Sequence, residues 1–214
     1  EAARALQGAS LVLVDQLVSP EVLALLPAHA ECIAVGKSAS RHTLPQEEII
    51  QLMLRLARSG RSLLRLKGGD GYIFGRGGEE AQALAEAGVP FSVIPGISAA
   101  QGAAASVGIP LTHRDHAGTL IFTTGHLRNE HHKNGQLDLD WPTLARPHQT
   151  VVVYMGVGAL ALICERLMDH GLPAGTPAAV VVNATRVNES CIAGTVASLP
   201  TLALVHGVQA PALI

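Results

Sequence analysis

The sequence has few cysteines, and they lie far apart. Cys32, Cys164 and Cys191 are the three cysteines among 214 residues. An odd number at such spacings forms neither a disulfide framework nor a CxxC metal pair. The cysteine content therefore favours reduced thiols and a cytoplasmic location.

Charge and long apolar runs are also scarce. Charged residues make up 15% of the chain, and the formal net charge is −2. A chain without an excess of Lys and Arg lacks a global basic surface, so we exclude nucleic acid as its main partner. No apolar run reaches the roughly 18 residues of a membrane span and no signal peptide is visible, so we expect no membrane partner. The 48% of hydrophobic residues is enough to bury a sizeable core.

Glycine, in contrast, is concentrated in the stretch RLKGGDGYIFGRGGEE at residues 65–80. Six glycines fall within residues 68–78. The apolar run before them predicts a buried strand, and the apolar spacing after them predicts a helix that ends at Gly88. Open parallel sheets bind ligands at such a junction, because glycine lets the backbone approach a ligand closely. The alternative is a glycine-rich surface turn, and neither common phosphate motif is present to name a ligand.

Strand and helix patterns alternate along the whole chain. Apolar runs predict strands at residues 10–15, 31–35, 62–66, 91–96, 120–125, 151–156 and 176–185. Helical patterns lie between them, the strongest at residues 45–60. The alternation implies an α/β fold with a mainly parallel sheet in each half. We predict an N-terminal domain at 1–112, a linker at 113–118 and a C-terminal domain at 119–214.

Six ordered motifs connect the chain to a known family. RLKGGDGYIFGRGGEE closely resembles the RLKGGDPFxFGRGGEE signature of the uroporphyrinogen-III C-methyltransferases, which belong to the tetrapyrrole methylase family. The other motifs, which match in the family's order, are VDQLVSP (14–20), VGKSASRHTLPQEEI (35–49), VIPGISAAQGAAASVGIPLTHRD (93–115), TTGHL (123–127) and VVYMG (152–156). The resemblance implies a two-domain fold whose active-site cleft lies between the domains, and C-methylation of uroporphyrinogen III to precorrin-2 through precorrin-1. It implies that the N-terminal domain holds the substrate and part of the cofactor site, and that the C-terminal domain completes the cofactor site. It also implies a homodimer and the cofactor S-adenosyl-L-methionine, which leaves as S-adenosyl-L-homocysteine.

The resemblance also implies which residues contact the cofactor. It places these contacts on small residues and on two apolar side chains, namely Gly68, Gly69, Asp70, Ile73, Ser98, Ala99, Met155 and Ala184. The residue types suit the ligand. Small residues admit the adenosine and amino-acid parts without steric cost, and a methionine packs flexibly against an apolar face.

Proton transfer and substrate binding need charged residues. By resemblance, Asp15 is the proton acceptor and Lys37 the proton donor, and both follow predicted strands at the sheet edge where sites form. The acidic macrocycle needs arginines, whose forked geometry matches a carboxylate. The resemblance places Arg76, Glu79 and Arg114 in the substrate cleft, and Arg41 can join them. A strand-end loop cap, a solvated lysine and a simple Arg–Glu helix pair are the alternatives.

Several features depart from the family pattern. Gln16 and Ser38 stand where the family commonly has arginine, and Gly71 replaces the proline of GGDP. The family's first glycine segment, GxGPGDP, and its last strand beyond PALI are not in the sequence. We therefore expect chain to be missing upstream of residue 1, where the sequence opens without methionine in a helical pattern.

Two further alternatives concern function. His126, His131 and His132 lie in a polar stretch that we interpret as a surface loop, and we expect no metal because adjacent histidines without a rigid scaffold seldom share one ion. A methyltransferase for a later precorrin, and a truncated, inactive cofactor-binding module, are the alternatives to the methylation of uroporphyrinogen III.

Overall fold

The structure is a computed structural model that describes residues 1–36, 44–126 and 137–214. It consists of two compact units, Glu1–Ser98 and Ala99–Ile214. The division therefore lies ahead of the boundary predicted at residue 112, and the predicted linker 113–118 falls inside the second unit. The assignment of substrate and cofactor roles to two domains stays a prediction. Among the described residues, none of the helices combines the length and the apolar composition that crossing a bilayer requires.

The first unit has a short parallel sheet with helices packed on it. Its helices are α1 (Ala2–Gln7), α2 (Pro20–Leu23), α3 (Gln46–Arg58) and α4 (Gly77–Glu86). Its strands are β1 (Leu11–Val14), β2 (Glu31–Ala34) and β3 (Leu64–Leu66). The order is β2–β1–β3 and both pairings are parallel, as predicted.

The central strand β1 forms because four apolar residues in a row can be buried on both faces of a sheet. All four are buried, and successive side chains go to opposite faces. Leu13 packs with Met53 of α3 on one face, whereas Val12 and Val14 pack in a separate cluster with Leu23 of α2. β1 is thus packed on both faces, and Asp15 directly follows the carboxyl end of this well-packed strand.

The predicted strand at 91–96 is wrong. Residues 91–98 form no strand, and Phe91 and Val93 are about half exposed. Apolar composition favours an extended segment, but a strand also requires a neighbour to complete its ladder. Among the described residues, β3 is the edge strand of this sheet and the segment does not pair with it.

The second unit contains a five-stranded sheet. Its helices are α5 (Ala99–Val107), α6 (Trp141–Leu144), α7 (Leu160–Asp169) and α8 (Leu199–Val205), with a 3₁₀ turn at Val157–Ala159. Its strands are β4 (Thr119–Thr124), β5 (Gln149–Tyr154), β6 (Pro177–Val182), β7 (Ser190–Thr195) and β8 (Ala212–Leu213). The order is β4–β5–β8–β6–β7.

This second sheet is mixed, which corrects the prediction of a mainly parallel sheet here. Only β4 and β5 pair in parallel, while β8 pairs antiparallel with β5 and β6, and β6 pairs antiparallel with β7. The antiparallel pairing of β6 with β7 follows from the short link between these two strands, because a parallel return needs a crossover long enough for a helix. Neither β7 nor α8 was predicted from the sequence.

Three apolar clusters hold the second unit together. One joins α6 and α7 to β5 through Leu144, Ile163 and Val153. Another joins α7 and α8 to β6 through Val180 and Leu199, both fully buried. The third packs α5 onto β5 and β8, and it lies next to three of the predicted cofactor residues.

Candidate functional site

The glycine loop follows β3 directly and is tightly folded. Gly69 has a φ of 74°, a left-handed value that favours glycine. The backbone of Gly77 donates to the carbonyl of Gly71 over 2.9 Å, and a Cβ at position 77 would lie 2.5 Å from that carbonyl oxygen. The loop therefore closes on itself where side chains do not fit, and it presents backbone groups at the carboxyl end of β3.

Asp70 holds this loop in place with both carboxylate oxygens. Oδ1 accepts the backbone N–H of Tyr72 over 2.8 Å, and Oδ2 accepts the backbone N–H of Gly96 over 3.0 Å. A Cβ on Gly96 would collide with the carbonyl of Gly69, so the two segments are in direct contact. The residue predicted to touch the cofactor thus also connects the glycine loop to the segment that leads to Ser98.

The first unit therefore brings together five of the predicted cofactor residues. Gly68, Gly69, Asp70 and Ile73 belong to the loop, and Ser98 follows the segment that Asp70 holds. Ile73 is 37% exposed, while Ser98 is buried. Their roles as cofactor contacts stay predictions.

Asp15 lies where it was predicted, directly after β1. Its backbone N–H donates to the Leu66 carbonyl over 2.9 Å, which fixes it against β3. Oδ1 accepts the N–H of Gln16 over 2.9 Å, and the side chain is 35% exposed. Asp15 thus combines a fixed backbone with access to solvent, as a proton acceptor requires.

The neighbours of Asp15 were not identified from the sequence. Its Oδ2 lies 3.4 Å from Nη2 of Arg65 and 3.6 Å from Nζ of Lys67. Both cations also contact Oε1 of Glu80, at 3.1 and 3.0 Å. Two signals could have identified this cluster. Arg65 and Lys67 are two residues apart at a strand, so they share a face, and Glu80 lies one helical turn before the partly buried Leu84.

Arg76 and Glu79 form a direct pair at the start of α4. The Nε and Nη2 of Arg76 donate to the two oxygens of Glu79 over 2.9 and 2.7 Å, and both side chains are about half exposed. Hydrogen bonding between them holds the pKa of the Glu79 carboxyl below its usual range and raises the pKa of the Arg76 guanidinium. The Arg–Glu helix pair that was predicted from the sequence as the alternative to substrate binding is therefore present. Because it is exposed, it contributes little to stability and can exchange partners with an anionic ligand.

The second unit places the other three cofactor candidates around one end of α5. The backbone N–H of Ala100, next to Ala99, donates to the hydroxyl of Tyr154 over 3.1 Å in a buried position. Met155 follows Tyr154 with a φ of 55° and a half-exposed side chain. Ala184 packs against the apolar cluster that contains Ala100 and Tyr154.

Ala184 is held by its own loop. Asn183 and Thr185 on either side of it have positive φ values of 49° and 65°. The carboxylate of Glu189 accepts the backbone N–H of Thr185. Hydrogen bonds from Ser106 of α5 and from Thr185 lower the pKa of Glu189, so the loop is tied to the helix that begins at Ala99.

Arg114 lies at the exposed tip of a tight turn in the second unit. His113 and Ala117 exchange backbone hydrogen bonds of 3.0 and 2.9 Å, and the rings of His113 and His116 stack at 4.6 Å. The turn leaves the guanidinium of Arg114 on the surface. Its substrate role stays a prediction.

Some predicted residues fall outside the described residues. These are Lys37, Arg41, His131 and His132. His126 is described and exposed, and its backbone N–H donates to the Thr124 hydroxyl. In the described part of the chain, no group of three or more His, Cys, Asp or Glu side chains is placed to hold a metal ion.

A groove of about 570 Å³ in the second unit lies apart from the predicted residues. Cys191, Leu202, His206 and Gln209 are among its lining residues, so it runs beside β7 and past the end of α8. It contains none of the predicted catalytic or cofactor residues. The predicted residues instead form a separate group in each unit: the glycine loop with the Asp15 cluster in the first, and the residues around the end of α5 in the second.

Comparisons with known proteins show the family to which the chain is similar. Residues 1–200 match the family of Tetrapyrrole (Corrin/Porphyrin) Methylases. Siroheme synthases from Nitrosospira multiformis and Chromobacterium violaceum are each 52% identical to the chain over 213 residues, which is 100% of this chain and 44% of each relative. The chain therefore spans less than half the length of these curated relatives.

Solved structures match over most of their own length. A uroporphyrin-III C-methyl transferase from Thermus thermophilus, complexed with S-adenyl homocysteine, is 35% identical, with a TM-score of 0.78 over 99% of this chain and 86% of that chain. A cobalt precorrin-4 methyltransferase is 25% identical, with a TM-score of 0.82 over 99% and 84%. These matches confirm the predicted α/β fold of this group. The chain belongs to the tetrapyrrole (corrin/porphyrin) methylases.

Proposed function

We propose that the chain is an S-adenosylmethionine-dependent methyltransferase that converts uroporphyrinogen III to precorrin-2 through precorrin-1. The observation that carries the proposal is the glycine loop fixed by Asp70 at the carboxyl end of β3, in a chain 35% identical to a uroporphyrin-III C-methyl transferase complexed with S-adenyl homocysteine. The similarity to siroheme synthases supports siroheme as the compound that is made from the precorrin-2 of this step. Because the chain covers 44% of those relatives, only the methylation step is proposed for it.

The residues present fit the cofactor. A Cβ at Gly68 would lie 2.9 Å from the Leu17 carbonyl oxygen, so only glycine fits at this point of the loop. The loop also offers the partly exposed side chain of Ile73 as an apolar contact. Gly68, Gly69, Asp70, Ile73 and Ser98 would hold the cofactor from the first unit. When bound, S-adenosylmethionine supplies a methyl group on a positively charged sulfur, which makes the methyl carbon electrophilic.

The second unit would contribute smaller, apolar contacts. Ala99 and Ala184 offer no bulk, and the exposed thioether of Met155 can follow the shape of an aromatic or aliphatic surface. The bond from Ala100 to Tyr154 fixes the start of α5, so Ala99 is placed in a defined position within this unit.

Asp15 would accept the proton in this reaction. When a ring carbon gains a methyl group, the macrocycle carries a positive charge until a proton leaves. Asp15 is fixed through its backbone, and its partly exposed carboxylate can take that proton. Lys37, outside the described residues, is proposed as the proton donor.

The arginines would recognise the substrate's carboxylates. Arg76 already forms a forked pair with Glu79, which shows that its guanidinium presents the geometry that carboxylates match. We propose that a substrate carboxylate displaces or shares this contact, that Glu79 then accepts pyrrole N–H groups, and that Arg114 and Arg41 bind further carboxylates.

A methyltransferase for a later precorrin is the second candidate. It is favoured by the cobalt precorrin-4 methyltransferase structure, whose TM-score of 0.82 exceeds that of the uroporphyrin-III enzyme. Shared backbone geometry reports the fold, whereas substrate choice depends on side chains. The higher identity, 35% against 25%, therefore favours uroporphyrinogen III.

Two measurements test the proposal. Calorimetry with S-adenosylhomocysteine asks whether the chain binds the product cofactor. Methyl transfer is then followed by mass spectrometry with uroporphyrinogen III and, separately, with a later precorrin. We expect binding and the successive addition of two methyl groups to uroporphyrinogen III. Absence of binding, or methylation of the later precorrin alone, would refute the proposal.

We further propose a homodimer in the cytoplasm. All three cysteines are free, and Cys32 and Cys191 are exposed, which suits a reducing compartment. Sedimentation equilibrium of the purified chain tests the dimer, and a monomer at micromolar concentration would contradict it.

A further inference from the structure

Glu80 is a buried carboxylate that the proposed reaction does not use. It lies in the first turn of α4 and is 4% exposed. Among the described residues, only Glu80 and Ser98 are polar and buried to this degree. A carboxylate in such a position requires nearby positive charge and hydrogen-bond donors.

Donors from two elements converge on one oxygen of Glu80. Its Oε1 accepts a hydrogen bond from Nε2 of Gln46, which lies in α3, over 3.2 Å. It accepts Nε of Arg65 over 3.2 Å and lies 3.1 Å from Nη2 of the same guanidinium. It also accepts Nζ of Lys67 over 3.0 Å. Glu80 therefore anchors both cations next to β3.

The same two cations approach Asp15 less closely. Arg65 and Lys67 lie 3.4 and 3.6 Å from Oδ2 of Asp15, which is longer than the 2.7–2.9 Å typical of a tight ion pair. Arg65 and Lys67 carry two positive charges, and Asp15 and Glu80 carry two negative charges. The cluster is thus neutral, with the close contacts on the buried carboxylate and the longer ones on the more exposed carboxylate.

We propose that Glu80 is the positioning residue for Asp15. By taking the close contacts of Arg65 and Lys67, it keeps these cations from closing on Asp15 and leaves that carboxylate able to accept a proton. This inference rests on the proposed function, in which Asp15 is the proton acceptor.

The physical reason is competition for two cations. Without the charge on Glu80, Asp15 is the only carboxylate left in the cluster, and a carboxylate in tight contact with two cations accepts a proton less readily. The two cations differ in freedom. Arg65 also donates through Nη1 to the carbonyls of Leu13 and Leu66 over 3.3 Å, which restrains it. Lys67 is therefore the side chain expected to move towards Asp15.

The test uses Glu80→Gln and the double variant Glu80→Gln/Lys67→Met. The first removes one negative charge and keeps the side-chain shape, and the second restores the neutral sum by removing one positive charge. We expect Glu80→Gln to lower single-turnover methyl transfer roughly 10- to 100-fold, because it weakens the base without removing it, whereas a general base as a whole contributes about 10²–10⁴-fold. We expect the single-turnover rate of the double variant to stay within roughly threefold of the wild-type rate. Without the Lys67 charge, no cation moves towards Asp15, so this carboxylate can again act as the base. The affinity for S-adenosylhomocysteine should be unchanged in both.

Glu86→Gln is the matched control, because Glu86 is exposed on the same helix and accepts a hydrogen bond from the neighbouring Gln82. A wild-type rate in Glu80→Gln would overturn the inference. A rate in the double variant more than about tenfold below the wild type would also overturn it, because a purely structural role of Glu80 predicts no rescue by Lys67→Met, whereas a weakened general base does. If Glu80→Gln does not fold, the double variant alone decides by the same limits.

A crystal structure of the folded variant tests the inference without activity. We expect the distance from Nζ of Lys67 to Oδ2 of Asp15 to shorten from 3.6 Å towards the range of a tight ion pair. An unchanged distance would contradict the inference. An inactive wild-type enzyme would instead refute the proposed function, and the distance would still decide the role of Glu80.

Discussion

Asp70 offers the most direct test of the glycine loop. Its two oxygens accept the backbone N–H groups of Tyr72 and Gly96. Asp70→Ala removes both acceptors. Asp70→Asn keeps one acceptor oxygen, but its NH₂ group then faces one of the two backbone donors, so one contact is lost. The pair of variants therefore removes the loop's anchors one at a time.

The magnitude follows from the exposure of these bonds. A hydrogen bond to a charged group contributes about 1.5–3 kcal/mol, but both bonds are solvent-exposed and water can satisfy the freed amides. About 1 kcal/mol for each bond is therefore appropriate. If the loop must be ordered again when the ligand binds, Asp70→Ala raises the Kd for S-adenosylhomocysteine about 30-fold and Asp70→Asn about fivefold.

Calorimetry and thermal unfolding measure the two consequences separately. The same loss of about 2 kcal/mol sets an upper limit of roughly 4–8 °C on the decrease in Tm for Asp70→Ala in a chain of this size. Asp169→Ala is the control, since Asp169 is an exposed acid that pairs with Arg166 far along the chain from the loop. Wild-type affinity in a folded Asp70→Ala protein would refute the assignment of the loop to the cofactor.

Three further predictions concern other parts of the chain. Arg76→Lys and Arg114→Lys should each lower turnover and leave the affinity for S-adenosylhomocysteine unchanged, because lysine keeps the charge but loses the planar fork that matches a carboxylate. Steady-state kinetics and calorimetry measure the two quantities, and a loss of cofactor affinity would contradict the prediction. Asp15→Asn should slow single-turnover methyl transfer by about 10²–10⁴-fold, and a near wild-type rate would move the base elsewhere. Burial raises the pKa of the Cys164 thiol to about 11, so this thiol stays protonated and unreactive as the pH rises past 9 and loses its proton only near pH 11. A thiol reagent at pH 8 should label two cysteines of the native protein and the third only after unfolding.

The sequence predicted those features that local patterns determine. The helix α3 follows from apolar residues at helical spacing, and Ile49, Ile50 and Met53 are its buried residues. The strand–loop–helix around the glycines follows from short-range signals of the same kind. Asp15 was placed correctly at the end of β1, because a buried apolar run followed by an acid has few other interpretations.

Features that depend on distant partners were missed. The segment at 91–96 has the composition of a strand, but a strand exists only where a neighbour completes its ladder. Glu79 and Glu80 are adjacent in the sequence, yet one is half exposed and the other buried. Only the tertiary packing of α4, which brings Glu80 to Arg65 of β3, decides which of the two carboxylates meets the cations.

The position of β8 has a consequence for the order of folding. The first sheet pairs residues that lie between positions 11 and 66, so it can form once that part of the chain has been synthesised. The second sheet has Ala212–Leu213 between β5 and β6, and the backbones of Val153 and Ile214 exchange hydrogen bonds. Until these residues leave the ribosome, the pairs β4–β5 and β6–β7 have no strand to join them. The second unit therefore completes its sheet last, and its apolar faces stay uncovered during synthesis for longer than those of the first.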